Sequence, residues 1–160
     1  MSKSSSKQDS SPIRTIAVNR RAHFDYHILE TFEAGIQLTG TEIKSIRDSR
    51  VNLREGYAFP ERSELWLLNV HIAPYAQGTH YNHEPLRPRK LLLHHKQIAY
   101  LAGKVSAKGF TIVPLRLYIK GRVAKVELGL ALGKKLYDKR QTTIDRETQR
   151  EVSRAFKQSV

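Results

Sequence analysis

Side chains able to do covalent chemistry are present in this chain but ungrouped. The 160 residues contain no cysteine. A thiol nucleophile, a Cys-ligated zinc and an iron–sulfur cluster are therefore excluded. Serines are frequent, yet none sits in a Gly-x-Ser-x-Gly elbow. His80 and His83, or His94 and His95, are the pairs a metal would use, but neither has carboxylate ligands at a recognised spacing. They read as exposed histidines on a basic surface. Glu33 and Glu42 could form an acid–base pair; the simpler account is a loop ion pair and a charge at a helix start. Gly35, Gly40 and Gly56 stand alone and read as turn residues, so no phosphate-cradling loop is present. The expectation is no catalytic residues, no metal, no cofactor and no small-molecule substrate.

The basic residues, by contrast, cluster. The chain carries 28 Lys and Arg against 15 Asp and Glu, a net charge of +13. Arg87-Pro88-Arg89-Lys90 holds three cations on a segment that proline stiffens, a geometry suited to a phosphate backbone. Arg116, Lys120, Arg122 and Lys125 edge a later hairpin, and Asn19-Arg20-Arg21 precedes the first strand. Phe24, Tyr75 and Tyr81 lie near these clusters and could stack on bases. An anionic membrane would call for a basic amphipathic helix with large apolar residues opposite, and none is convincing. Nucleic acid is the expected partner.

Positioning these clusters takes three zones. Residues 1–18 are polar and Ser-rich, lack the apolar middle of a secretory signal, and read as a disordered arm. Residues 19–132 are the folded part, with a charge of +7. Residues 133–160 form a basic tail of charge +4. No apolar run reaches the ~18 residues of a membrane span, so the protein is expected in the cytoplasm.

The middle zone is mostly strand. Alternation is loose over residues 24–29, cleaner over 35–39, and strict at the end of 64–72. Leu115, Leu117 and Ile119 share one face; after a Lys120-Gly121 turn, so do Ala124, Val126, Leu128 and Leu130. Two short helices are expected. One spans residues 42–49, capped by Thr41. The other spans 94–108, with Ile98, Leu101, Ala102 and Val105 at helical spacing and Gly109 as cap. These elements predict a mainly β fold, a small closed barrel, with an open sandwich as the alternative. In the tail, Thr142 or Thr143 can cap a helix over 144–157 whose apolar stripe is thin. Such a helix is marginal alone and is expected to form on an anionic groove.

Several blocks then occur in one order: Asn19-Arg20-Arg21-Ala22, Asp25-Tyr26-His27-Ile28, Glu30-Thr31-Phe32-Glu33-Ala34-Gly35-Ile36 and Leu38-Thr39-Gly40-Thr41-Glu42-Ile43-Lys44-Ser45-Ile46-Arg47. Arg87-Pro88-Arg89-Lys90-Leu91-Leu92-Leu93-His94 and Gly133-Lys134-Lys135-Leu136-Tyr137-Asp138-Lys139-Arg140 follow. In these blocks the chain resembles the SmpB family of SsrA-binding proteins. The resemblance implies an oligonucleotide-binding (OB) barrel that binds the tRNA-like domain of tmRNA and brings it to stalled ribosomes for trans-translation. The tail would enter the empty mRNA channel and meet small-subunit rRNA at the decoding centre. No bond would be made or broken, and the protein is expected to act as a monomer.

By resemblance, Asn19, Glu33 and Leu92 are tmRNA-binding positions, with Arg20, Arg21, Arg87, Arg89 and Lys90 beside them as cations. Phe24, Gly133, Lys134, Lys135, Tyr137, Asp138, Lys139 and Arg140 match the decoding-centre group, and Tyr137 is suited to stack on a base. The chain departs from the family at His23-Phe24, where Arg-His is frequent, and at Leu132, where a basic residue is common. Two rivals remain: a general structured-RNA-binding OB protein, and a hydrolase or RNA-modifying enzyme. The second needs an acid/base or metal constellation that the sequence lacks.

Overall fold

The computed structural model describes residues 11–77, 82–107, 109–134 and 136–158. His80, Tyr81 and Lys135, and the side chains of Tyr137 and Asp138, lie outside the described residues, as do residues 1–10 of the arm. In chain order the elements are β1 (Ile13–Val18), α1 (Arg20–Asp25), β2 (Tyr26–Ile36), α2 (Gly40–Arg47), β3 (Val51–Asn52), β4 (Tyr57–Glu61), β5 (Glu64–Leu68), β6 (His71–Ile72), β7 (Arg89–Leu92), α3 (His95–Ser106), β8 (Phe110–Lys120), β9 (Val123–Gly133) and α4 (Leu136–Gln158). No helix among the described residues is long and apolar enough to cross a membrane.

The clearest alternation in the sequence builds the longest ladder. β8 and β9 pair from Phe110↔Leu132 to Lys120↔Val123, and Gly121 takes the left-handed φ of 63° that the tight turn requires. From β8 the pairing runs through β4, β5, β7, β2 and β9 and back to β8, antiparallel throughout. The ladder therefore closes on itself, as expected of an OB-like fold, and the open sandwich is set aside. Leu65, Leu67, Ile112, Leu117, Val126 and Leu128 point inward and are fully buried. Each contributes on the order of 1.5–3 kcal/mol by leaving water. α3 seats Ile98 and Leu101 in this core, close to its expected span.

Five features differ from the sequence expectation. Ile13–Val18 is not part of a disordered arm: it pairs with the far end of β8 as β1. The expected strand over 64–72 breaks at Asn69, whose φ is 57°, so His71–Ile72 leaves the ring and pairs with β3. Residues 20–25 form a helix that was not expected, capped by Asn19, and it takes up Phe24 and Asp25, the first two residues of the strand expected over 24–29. α2 is capped by Thr39 rather than Thr41: the Thr39 hydroxyl faces the Glu42 N–H, and the Thr39 N–H donates to Glu42 Oε1 at 2.8 Å, a reciprocal capping box. The tail helix also starts earlier, at Leu136. Thr142 and Thr143 lie inside it, and Thr143 Oγ1 back-bonds to the Lys139 carbonyl at 3.1 Å.

Candidate nucleic-acid interface

The segment that presents Lys90 and Leu92 is held from beneath by one buried carboxylate. Glu42 is fully buried on α2. Its Oε1 accepts from Arg87 Nη2 at 2.6 Å as well as from the Thr39 N–H, and its Oε2 accepts from Arg89 Nε. Arg89 spends its remaining donors on the carbonyls of Val70 at 2.8 Å and Pro85 at 3.1 Å. Burial alone would raise the Glu42 carboxyl, but the Arg87, Thr39 and Arg89 donors outweigh it and hold the group down at about 2. Arg89 is 0% exposed. This corrects its expected role: Arg89 cannot meet a phosphate at the surface, because the fold consumes its guanidinium as an internal tie. Arg87 is partly engaged by the same carboxylate, and Lys90 is the cation of this run that reaches the groove.

Above this tie lies an open groove of about 640 Å³ whose lining includes Glu33, Glu64, Lys90, Leu92, His94 and Lys125. The register sets Gly35 on β2 against Leu92 on β7, and a Cβ at Gly35 would stand 3.2 Å from the Leu92 Cβ. Gly35 is thus a close-approach residue within a strand, not a turn residue. Leu92 remains 52% exposed, a large apolar side chain facing solvent between cations. Lys90 Nζ lies 3.0 Å from Glu64 Oε1.

Glu33 sits mid-strand opposite Glu127, and not in a turn. The Tyr118 hydroxyl donates to its Oε2, and Lys120 Nζ stands 3.7 Å from its Oε1. Burial and the Glu33 contact both raise the Tyr118 phenol, so it stays a donor. Arg116 lies 4.5 Å over the Tyr118 ring and bonds Glu127 Oε2 at 2.7 Å. Tyr118 was the residue that the sequence reading passed over; its signal was a polar-tipped aromatic on the outward side of β8, between Arg116 and Lys120. The groove offers a fixed acceptor, an apolar contact and two ammonium groups, which suits a ribose or base edge flanked by phosphates.

Replacing Glu33 should also weaken the fold. Glu33→Ala strands the Tyr118 hydroxyl, and a hydrogen bond to a charged group is worth ~1.5–3 kcal/mol net. The Glu33 side chain is 43% exposed, so about 1–2 kcal/mol is expected, a drop of about 2–8 °C in melting temperature. Glu33→Gln keeps the acceptor and should melt within about 2 °C of the parent. A thermal scan of the two variants checks this, and equal midpoints for Ala and Gln would count against the Tyr118 tie.

The remaining predicted residues gather elsewhere. Asn19 is buried, and its amide is spent: Oδ1 accepts from the Ala22 N–H at 3.2 Å, and Nδ2 donates to Leu53 O at 3.3 Å and Pro114 O at 3.0 Å. This corrects the expected base contact, since Asn19 positions α1 instead of facing a ligand. Arg20 is exposed, and Arg21 Nε bonds Asp25 Oδ2 at 3.1 Å. Around α1 the structure also assembles the tail. Lys139 Nζ stands 3.2 Å from Asp25 Oδ1, Lys134 Nζ donates to His23 O at 3.1 Å, and the Arg146 guanidinium lies 5.8 Å over the Phe24 ring. Burial would raise the Asp25 carboxyl, but its bonds to Lys139 and Arg21 prevail and lower it. Gly133 ends β9 opposite Tyr26, and Arg140 is exposed. Farther along α4, Arg146, Arg150, Arg154 and Lys157 line one basic groove, while Ile144, Val152 and Phe156 stay exposed.

His83 is not an exposed histidine: it is buried between Ile72 O at 2.9 Å and Thr41 Oγ1 at 2.8 Å. Among the described residues, no three His, Asp or Glu side chains group so as to hold a metal ion.

Comparison with known proteins places these features in a family. A family model described as SmpB protein matches residues 16–158. The SsrA-binding protein of Carboxydothermus hydrogenoformans is 58% identical over 144 residues, covering 90% of this chain and 97% of its own. That of Roseiflexus sp. is 60% identical over 146 residues, covering 91% of this chain and 92% of its own. A solved chain described as "tmRNA-SmpB: a journey to the center of the bacterial ribosome" superposes with a TM-score of 0.64 at 53% identity, covering 75% of this chain and 85% of that one.

Proposed function

The chain belongs to the SmpB family, and from that premise we infer that it binds the tRNA-like domain of tmRNA and delivers it to stalled ribosomes for trans-translation. The protein acts as an RNA-binding factor; it supplies shape and charge, and no bond is made or broken by its side chains. The observation that carries the reading is the groove in which exposed Leu92 stands beside Lys90, Lys125 and the Tyr118-tethered Glu33. In this reading Lys90 and Lys125 meet phosphates, Leu92 packs on a ribose or base, and Glu33 accepts from a base amine or a 2′-hydroxyl. Arg87 adds charge at the rim. Glu42, Arg89 and Asn19 act from within, by holding the surface that binds. Arg20 and Arg21 add charge on the tmRNA side, while Phe24 and the tail residues Gly133, Lys134, Lys135, Tyr137, Asp138, Lys139 and Arg140 form the part that faces the ribosome in the decoding centre. The work is done in the cytoplasm, where ribosomes are.

The test is to sequence the RNA that co-purifies with the protein from its own cells. A single discrete species, tmRNA, supports the reading, and a broad mixture of structured RNAs favours a general RNA-binding protein. Binding should also be mainly electrostatic. With about four to six phosphates neutralised at ~0.7–0.9 per contact, log K should fall against log salt with a slope of about −3 to −5. A fluorescence titration from low to physiological salt measures this, and a flat response would sink it.

A further inference from the structure

Three arginines that the groove leaves unused meet at the turn of the β8–β9 hairpin. Arg14 comes from β1, Arg47 from the last turn of α2 and Arg122 from the turn itself, and they line one cavity of about 310 Å³. Arg14 lies 33 residues before Arg47 and Arg122 lies 75 after it, and strand pairing brings them together. Ile13 is in register with Lys120, and the Gly121 N–H donates to Pro12 O at 3.1 Å. Arg14 Nη2 donates to the Arg47 carbonyl at 3.1 Å, which ties strand to helix end. All three residues are exposed.

No carboxylate lines this cavity. Arg21, Arg87, Arg89 and Arg116 each hold a carboxylate. Among the described residues, Arg14, Arg47 and Arg122 hold none. Three guanidiniums around one concavity repel one another, and an anion entering it removes that repulsion. The planar fork of Arg matches two oxygens of a phosphate. Three residues along β9 from Arg122 is Lys125, about 10 Å away by strand rise, and Lys125 already lines the groove.

We propose that Arg14, Arg47 and Arg122 form a second phosphate clamp, which grips an RNA backbone segment beyond the one seated in the Glu33–Leu92 groove. The proposal rests on the RNA-binding reading and extends it to a surface to which that reading assigns no role. The clamp contributes charge and reach, with no base readout.

The test uses the full chain, a transcript of the tmRNA tRNA-like domain, and binding titrations across a salt series. Arg14→Gln with Arg122→Gln should lower the magnitude of the salt slope by about 0.7–1.8, one to two phosphates, and weaken binding about three- to tenfold at physiological salt. Arg122→Glu alone, in an exposed turn, should weaken binding in the same direction and guards against misfolding of the double variant. Lys90→Gln serves as the reference for the groove. If the double variant and Arg122→Glu keep the parent slope and affinity, the clamp is overturned. In that case a weakened Lys90→Gln leaves the groove reading standing, and an unchanged Lys90→Gln brings it down as well.

Discussion

Glu42→Ala should lower the melting temperature by about 6–20 °C, the largest single-residue effect expected in this protein. Glu42 and Arg89 are both fully buried, and Arg87 shares the same carboxylate. Breaking a buried ion pair by removing one partner costs ~3–5 kcal/mol, because the remaining charge is stranded. That is a large fraction of the ~5–15 kcal/mol that holds a typical domain together. The change also deletes half of the capping box that starts α2. Acidification tests the same tie without mutation. The folded-state carboxyl titrates at about 2, against an ordinary 4.5. A depressed folded-state value contributes stability that is complete above the ordinary one and is lost as pH falls through the window down to about 2. The parent should therefore lose stability between pH ~4.5 and ~2 more steeply than Glu42→Gln, which has no proton to take up there. Melting curves over that range measure the difference. Parallel pH profiles, or a Glu42→Ala midpoint within about 2 °C of the parent, would show that the triad is not the anchor it is read to be.

The triad also marks where sequence reading stops. Arg87-Pro88-Arg89-Lys90 has the composition of an exposed basic strip, and nothing local says that its middle cation, Arg89, turns inward. That fact comes from the β7 register, which points Arg89 and Leu91 into the ring and leaves Lys90 and Leu92 outside. Asn19 fails for the same reason. Its amide is an N-cap and a bridge to Leu53 and Pro114, partners 34 and 95 residues away. By contrast, the β8–β9 hairpin was legible because its period-2 pattern is local, and α3 because its apolar residues repeat at helical spacing. α1 was not legible: six residues give less than two turns of periodicity, and their aromatic content mimics a strand. Glu33 and Leu92 were named as binding positions from resemblance alone and Lys90 from its basic cluster, and the structure brings all three to one groove. What the sequence could not supply is why Glu33 is held there, since Tyr118 lies 85 residues on.

Ending the chain after Lys134 should leave affinity for the tRNA-like domain within about threefold of the parent and abolish peptide tagging on stalled ribosomes. The cut is placed by the fold: β9 runs to Gly133, and the Lys134 N–H donates to Asp25 O at 2.8 Å. A cut after Leu132 would trim the barrel itself. Everything that lines the groove, and the arginine clamp, survives the cut. What is lost is Lys139 and its contact with Asp25, along with Tyr137, Arg140 and the basic face of Arg146, Arg150, Arg154 and Lys157. A helix whose Ile144, Val152 and Phe156 are 54%, 64% and 74% exposed buries too little to be held by the barrel. Its docking rests on a few polar contacts with α1, and surface ion pairs of that kind are worth ~0–1 kcal/mol each. Such a latch can be exchanged for rRNA phosphates at little cost, which is what the proposed entry of the tail into the mRNA channel requires. Tyr137→Ala should then cut tagging well beyond its effect on tmRNA binding, since one lost base stack costs ~1–3 kcal/mol. Asp25→Asn, which frees Lys139, should leave tagging intact. If the truncated protein loses tmRNA affinity and tagging by the same factor, the tail belongs to the tmRNA site, and the division of labour between barrel and tail is wrong.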